Sequence, residues 1–149
     1  MRTPKNWTAS SNGEHTFTIG ESNYGESDGR AMIYAKVYED SNDDGDTVYR
    51  WEFDHGDRTV EYHRDSAMAA ALECENEIAA YIVAATPPQV IALLRGTQVE
   101  IAARLGVSQS TVSDWRNDKM DMSRMARHLV IAMLGGKYDV KDNAWRFYG

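Results

Sequence analysis

Gln109, Ser110, Ser113, Asp114 and Asn117 are spaced so that a helix would turn all five polar side chains to one side. That set suits the edge of a nucleic-acid base. A glutamine can pair through both ends of its amide with N6 and N7 of adenine, and serine can bond several base edges. Arg116 has two readings, a cation held against a phosphate or a solvated helix end. Asp114 is awkward, because phosphates repel a carboxylate. It either accepts from a cytosine amino group or turns toward Arg116 or Lys119.

The elements that would position these residues span Thr97 to Asn117, TQVEIAARLGVSQSTVSDWRN, which reads as a helix-turn-helix. Ile101, Leu105, Val107, Val112 and Trp115 take the inward positions. Ala102 falls where the helices cross and a small side chain lets the backbones approach. Gly106 falls in the turn, where a positive φ carries no steric cost. Ser108 follows as N-cap of the second helix. A generic helical hairpin would match the apolar positions but rarely the small residue, the glycine and the cap as well.

The chain has 149 residues, 42% of them hydrophobic, which suits one ordinary domain or two small ones. No apolar run approaches the roughly 20 residues of a spanning helix. The first residues lack the apolar segment of a secretion signal. The single cysteine, Cys74, sits in an alanine-rich helical stretch and reads as a small packed residue in a reducing cytosol. Charge is divided unevenly. Residues 1–86 carry 7 Lys/Arg against 17 Asp/Glu, a net of −10, and residues 87–149 carry 9 against 6, a net of +3. Phosphate neutralisation drives non-specific DNA binding, so the basic half is the one expected on DNA. The acidic half should face elsewhere.

Thr86-Pro87-Pro88 marks the boundary. Before it, residues 1–86 read as an acidic α+β module for oligomerisation or partner binding. Strands are expected at His15–Gly20, Ala31–Tyr38, Thr47–Phe53 and Arg58–His63, with a hairpin loop at Asp54-His55-Gly56-Asp57. Tyr49, Trp51 and Phe53 share one face. Asp65-Ser66 should cap a helix to about Ala84, with Met68, Ala71, Leu72, Ile78, Ala79 and Ile82 on its apolar side. After the boundary the chain reads as all helix, an all-α helix-turn-helix domain of four short helices over residues 87–137. Thr86 caps a first helix, Pro88–Arg95, and Gly96 ends it. A last helix, about Ser123–Leu134, places Met125, Leu129, Ala132 and Met133 on one face, and Gly135-Gly136 stops it. Residues 138–149 form an aromatic C-terminal tail with Tyr138, Trp145, Phe147 and Tyr148, which should pack on either half or on a second subunit.

Other features have plainer readings. Asp40-Ser41-Asn42-Asp43-Asp44-Gly45 opens like a calcium loop, but the twelfth position is Trp51 and the flanks read as strands. A hairpin turn explains the same letters. His15, His55, His63 and His128 lack metal-ligand spacing. Glu73, Glu75 and Glu77 read as a solvated helix face. No phosphate loop, nucleophile elbow or paired catalytic set is seen, so no enzyme, no metal and no cofactor is expected.

The stretch Ile101-Ala102-Ala103-Arg104-Leu105-Gly106-Val107-Ser108-Gln109-Ser110-Thr111-Val112-Ser113-Asp114-Trp115-Arg116 resembles the phage CII-type transcriptional activators, within the wider class of lambda-repressor-like DNA-binding domains. The likeness runs from about Val90 to Tyr138, a third of the chain. Leu105-Gly106-Val107 stands for that family's Val-Gly-Val turn, and Trp115-Arg116 for its Trp-Lys. The large N-terminal module departs from the family's short arm. The resemblance implies that Gln98 touches a phosphate and bonds Gln109, which reads adenine. It places Ser110 and Ser113 along the major groove and Asn117 or Lys119 at the backbone. With Ser108 and Arg116, these complete the expected DNA-binding set.

The expectation is a sequence-specific transcriptional regulator, phage or prophage encoded, acting in the bacterial cytoplasm. It would bind double-stranded DNA at paired half-sites as a dimer or tetramer. The helix Asp65–Ala84 or the aromatic tail would form part of the subunit interface. RNA polymerase or a host protein are the further partners this reading allows, and no membrane. The alternative is an interaction protein, an antitoxin or phage inhibitor of host defence. Its acidic module would bind a protein and its helix-turn-helix would serve autoregulation.

Overall fold

The computed structural model describes residues 7–9, 12–20, 33–55, 58–64 and 66–147, and of residues 54–64 only the backbone. Five strands form one antiparallel sheet in chain order: β1 (Thr8–Ala9), β2 (His15–Ile19), β3 (Ile33–Ser41), β4 (Thr47–His55) and β5 (Arg58–Arg64). The alternation in the sequence sets the register. His15 faces Val37, Phe17 faces Ala35 and Ile19 faces Ile33, while Ala35 and Val37 meet Phe53 and Trp51 on the other side. All of these are buried, so they make one inner face. β1 was not expected, since two residues carry no alternation. Of the loop expected at 54–57, Asp54 and His55 belong to β4. Residues 56–57 lie outside the described residues, as do Asp65 and Tyr148.

Helix α1 (Ala67–Ala84) lies across the inner face. Ser66 caps it, its side chain accepting from the Ala69 N–H. Ala70, Ala71 and Ala79 bring its backbone close to the sheet, and Ile78 and Ile82 are fully buried there. Each such isoleucine contributes about 1.5–3 kcal/mol. Glu75 is 1% exposed, which overturns its reading as part of a solvated face. It falls one and two turns from Ala71, Ile78 and Ile82, on the inward stripe rather than beside its acidic neighbours.

Four short helices follow: α2 (Pro87–Ile91), α3 (Gln98–Leu105), α4 (Gln109–Arg116) and α5 (Arg124–Met133). Thr86 and Gln89 form a reciprocal capping box at α2. The face expected of α5 is corrected. Met125 and Leu129 are 77% and 45% exposed, and Ala126, Val130 and Ile131 point inward with Arg127. Among the described residues no helix is long and apolar enough to cross a membrane.

The chain does not stay helical to its end. β6 (Gly136–Asp139) and β7 (Ala144–Phe147) form a hairpin. Tyr138 pairs directly with Trp145, their rings 5.4 Å apart edge to face. A side chain at Gly136 would collide with Ile131 at 2.3 Å, so glycine lets the strand start against α5. The outer edge of β7 is satisfied by α1. Asn76 Oδ1 accepts the Trp145 N–H at 2.9 Å and Glu75 Oε1 accepts the Phe147 N–H at 2.7 Å. Residues two apart in a strand point their N–H groups the same way, and one turn of α1 supplies both acceptors. Glu75 Oε2 also accepts from Trp7 Nε1 at 3.1 Å. Trp7 stacks on Phe17, and Phe17 meets Phe147. One hydrophobic cluster therefore runs from Trp7 through the sheet and helices to Phe147.

Candidate nucleic-acid interface

Helix α3 begins at Thr97, whose side chain accepts from the Glu100 N–H while Glu100 accepts the Thr97 N–H at 3.2 Å. It ends at Gly106, with φ of 70°. There the Val107 N–H bonds the Ala102 carbonyl at 3.0 Å and the Gly106 N–H bonds that of Ala103 at 3.3 Å. This left-handed turn redirects the chain within two residues. Ser108 then caps α4, its Oγ accepting from the Thr111 N–H at 3.2 Å. The same Oγ lies 3.0 Å from Ser110 Oγ and 2.9 Å from Thr111 Oγ1. Ser108 therefore organises the helix start.

The inward positions fall as the sequence indicates. Ile101, Ala102, Leu105, Val112 and Trp115 are buried and Val107 is half-buried. Gln109, Ser110, Arg116, Asn117 and Lys119 are exposed, and Ser113 and Asp114 are half-exposed on the same helix. Gln98 Nε2 donates to the main-chain carbonyl of Gln109 at 2.9 Å. The bond implied by resemblance is thus made to the backbone of Gln109. Asn117 folds back, its Nδ2 donating to the Ser113 carbonyl at 2.9 Å. Among the described residues Asp114 forms no ion pair with Arg116 or Lys119.

Helix α4 is capped by Asn117 and followed by Asp118, a non-glycine residue with φ of 55°. The Lys119 N–H bonds the Asp114 carbonyl at 2.8 Å and the Asp118 N–H bonds that of Trp115 at 3.2 Å. The loop beyond is tied by Trp115 Nε1, which donates to the Asp121 carbonyl at 3.4 Å.

Arg127 was missed by sequence reasoning. It is 6% exposed. Its guanidinium donates to the carbonyls of Met122 at 2.9 Å and Ile82 at 3.2 Å, and to that of Ala85. It also meets Asp121 Oδ1 at 3.1 Å. The Ile82 and Ala85 carbonyls close the end of α1, where helix carbonyls lack partners and the dipole favours a cation. One side chain thereby fixes α5 and the loop after α4 to the helix that carries the sheet. Its spacing, three and four residues before Val130 and Ile131, was the available signal.

The acidic stretch Asp40–Gly45 covers the end of β3 and the turn into β4. Asn42 Oδ1 accepts the Asp44 and Asp46 N–H groups at 3.1 and 2.9 Å, and Asp40 pairs with Arg50 at 2.8 Å. These bonds explain its composition.

A short helix, a left-handed glycine turn and a second short helix, buried on one side and polar on the other, define a helix-turn-helix unit. Comparison with known proteins adds one relative. The chain is 45% identical over 47 residues to "Regulatory protein cro" of Pseudomonas phage D3, across 32% of this chain and 64% of that protein. The chain thus spans somewhat less than two thirds of the relative it matches. That relative is a phage regulator by name, and its name gives no support to the narrower CII-type assignment. No family model matches the chain, and no solved structure is similar to it at a significant level.

Proposed function

We propose that the protein is a phage-type transcriptional regulator that binds duplex DNA by laying α4 in the major groove. The observation that carries this reading is the placement of α4. Val112 and Trp115 anchor it inward, Gln98 fixes its first residue through a main-chain bond, and the Gln109 side chain is left exposed. The similarity to a phage regulator supports the same reading. Gln109, with Ser110 and Ser113, reads base edges, while Arg116 and Lys119 meet phosphates. Gln98 and Asn117 hold the helix and its end.

The test begins with selection of a site from random duplexes by the full chain. Gln109→Ala should then cost about 1–3 kcal/mol at that site and relax preference at one base pair. Its non-specific affinity should hardly change, because an uncharged side chain releases no counterion. Val112→Asp buries an unpaired carboxylate and should abolish both kinds of binding by unfolding the unit. Fluorescence anisotropy with circular dichroism separates the two effects. Parent-like affinity and preference in Gln109→Ala would sink this docking.

A further inference from the structure

We propose that the cleft between the end of α1 and the start of α5 binds a small organic phosphate, a monoester with a compact apolar group. Val83 and Ala84 of α1, Asp121 and Met122 of the loop before α5, and Arg124 and Arg127 of α5 line a cavity of about 480 Å³ there. Small-molecule sites span about 300–1,000 Å³. The two arginines are three residues apart, so their side chains rise from one side of the helix. Arg124 is exposed and has no ion-pair partner among the described residues. Arg127 is buried, and its Nη2 carries two N–H groups but meets only Asp121 Oδ1, at 3.1 Å. Among the described residues, one N–H of a buried guanidinium is thus left without an acceptor, beside the cavity it lines.

Charge selects the ligand. Arg124 and Arg127 outweigh Asp121, so the cleft is cationic in a chain whose net charge is −7. Asp121 is held loosely, with its side chain 90% exposed. An incoming anion takes its place on Arg127 and lets the carboxylate return to water. A dianion then balances both guanidiniums, which a monocarboxylate does not. Phosphate oxygens also match the paired N–H groups of a guanidinium. Val83 and Met122 supply an apolar wall for the ester group. Arg127 already joins α5 to the end of α1, so a ligand held on it strengthens the contact between the sheet module and the helix-turn-helix unit. The site is independent of the DNA-binding reading.

Calorimetric titration of the full chain with phenyl phosphate, in a phosphate-free buffer, tests it. Binding should saturate with a dissociation constant below about 1 mM and raise the melting temperature. Inorganic phosphate, lacking the ester group, should bind more weakly. Arg124→Gln should weaken phenyl phosphate binding about tenfold or more, and Asp121→Asn should tighten it. Lys141→Gln removes the same charge from the exposed hairpin and should leave binding unchanged. No saturation, equal weakening by Arg124→Gln and Lys141→Gln, or weaker binding by Asp121→Asn would overturn the inference. Random duplex titrated against the same variants separates a soluble phosphate from the phosphates of DNA. Arg124→Gln should lower duplex affinity no more than Lys141→Gln does. A larger loss on duplex, with no phenyl phosphate binding by the parent, assigns the arginines to the DNA backbone and removes the proposed ligand.

Discussion

Replacing Arg127 with methionine keeps most of the buried stem and removes the guanidinium. Three main-chain carbonyls, those of Ile82, Ala85 and Met122, then lose their donor. Each buried unsatisfied carbonyl costs about 1–3 kcal/mol. Local relaxation recovers part of the sum, and the charge no longer has to be desolvated, so the net loss should be about 3–5 kcal/mol. Asp121 contributes little of this. Its side chain is 90% exposed and is rehydrated when the arginine goes. Asp121→Asn should therefore cost less than about 1 kcal/mol. Urea titration followed by tryptophan fluorescence and circular dichroism measures both variants. If Arg127→Met lies within about 1 kcal/mol of the parent, the guanidinium is not the cap that holds α5 to α1. If Asp121→Asn matches Arg127→Met, the ion pair rather than the carbonyl cap carries the joint.

Asp118→Gly should stabilise the chain by about 1 kcal/mol, because glycine adopts the φ of 55° freely. The same change removes a carboxylate beside α4 and should strengthen non-specific DNA binding, read as anisotropy on random duplex; a less stable variant would argue against the left-handed turn. Burial pushes the Glu75 carboxyl above its ordinary value of 4.5, against the opposing pull of the Phe147 and Trp7 N–H groups and Arg146. The native state then holds this proton more tightly than the unfolded chain, so the group's contribution is greatest below 4.5 and is lost as pH rises through the raised value. Glu75→Gln cannot accept from both Trp7 and Phe147 and should cost about 1–3 kcal/mol. The parent's advantage over it should shrink as pH rises through that window, and urea titrations showing the gap widen would refute the account.

The sheet was legible because period-two alternation admits one register for His15–Ile19, Ile33–Val37 and Tyr49–Phe53 once their apolar face is buried. The turn between α3 and α4 was legible because Gly106 and Ser108 each do a task few residues do. On α5 the pattern was ambiguous. Met125, Leu129 and Ala132 form one apolar stripe and Ala126, Val130 and Met133 another, and helical periodicity cannot choose between them. The choice follows from Arg127, whose place beneath the end of α1 turns the second stripe inward. Glu75 was misjudged because its neighbours Glu73 and Glu77 suggest a charged face, whereas its acceptors serve residues far away in sequence. The hairpin escaped notice because strands of four residues offer too little alternation. The candidate site was legible only as a set of polar residue types, since the bond from Gln98 to the Gln109 carbonyl depends on two helices meeting in space.

Glu75 also has a consequence for how the chain comes to be folded during synthesis. Its two oxygens hold Trp7, 68 residues before it, and Phe147, 72 residues after it. Each contact closes a long loop, and such closures delay folding more than they alter final stability. A nascent chain that has emerged as far as α1 can pair its strands, but the ring of Phe147 that covers Phe17 does not yet exist. The carboxyl of Glu75 and the amide of Asn76 wait for N–H groups 72 and 69 residues further along the chain. Until then a buried acid and an apolar edge stand open, which is the state most exposed to proteases and chaperones. A stop codon after α1 but before residue 144 would hold the molecule there, so shortened products should be degraded even though every strand of the large sheet has been made.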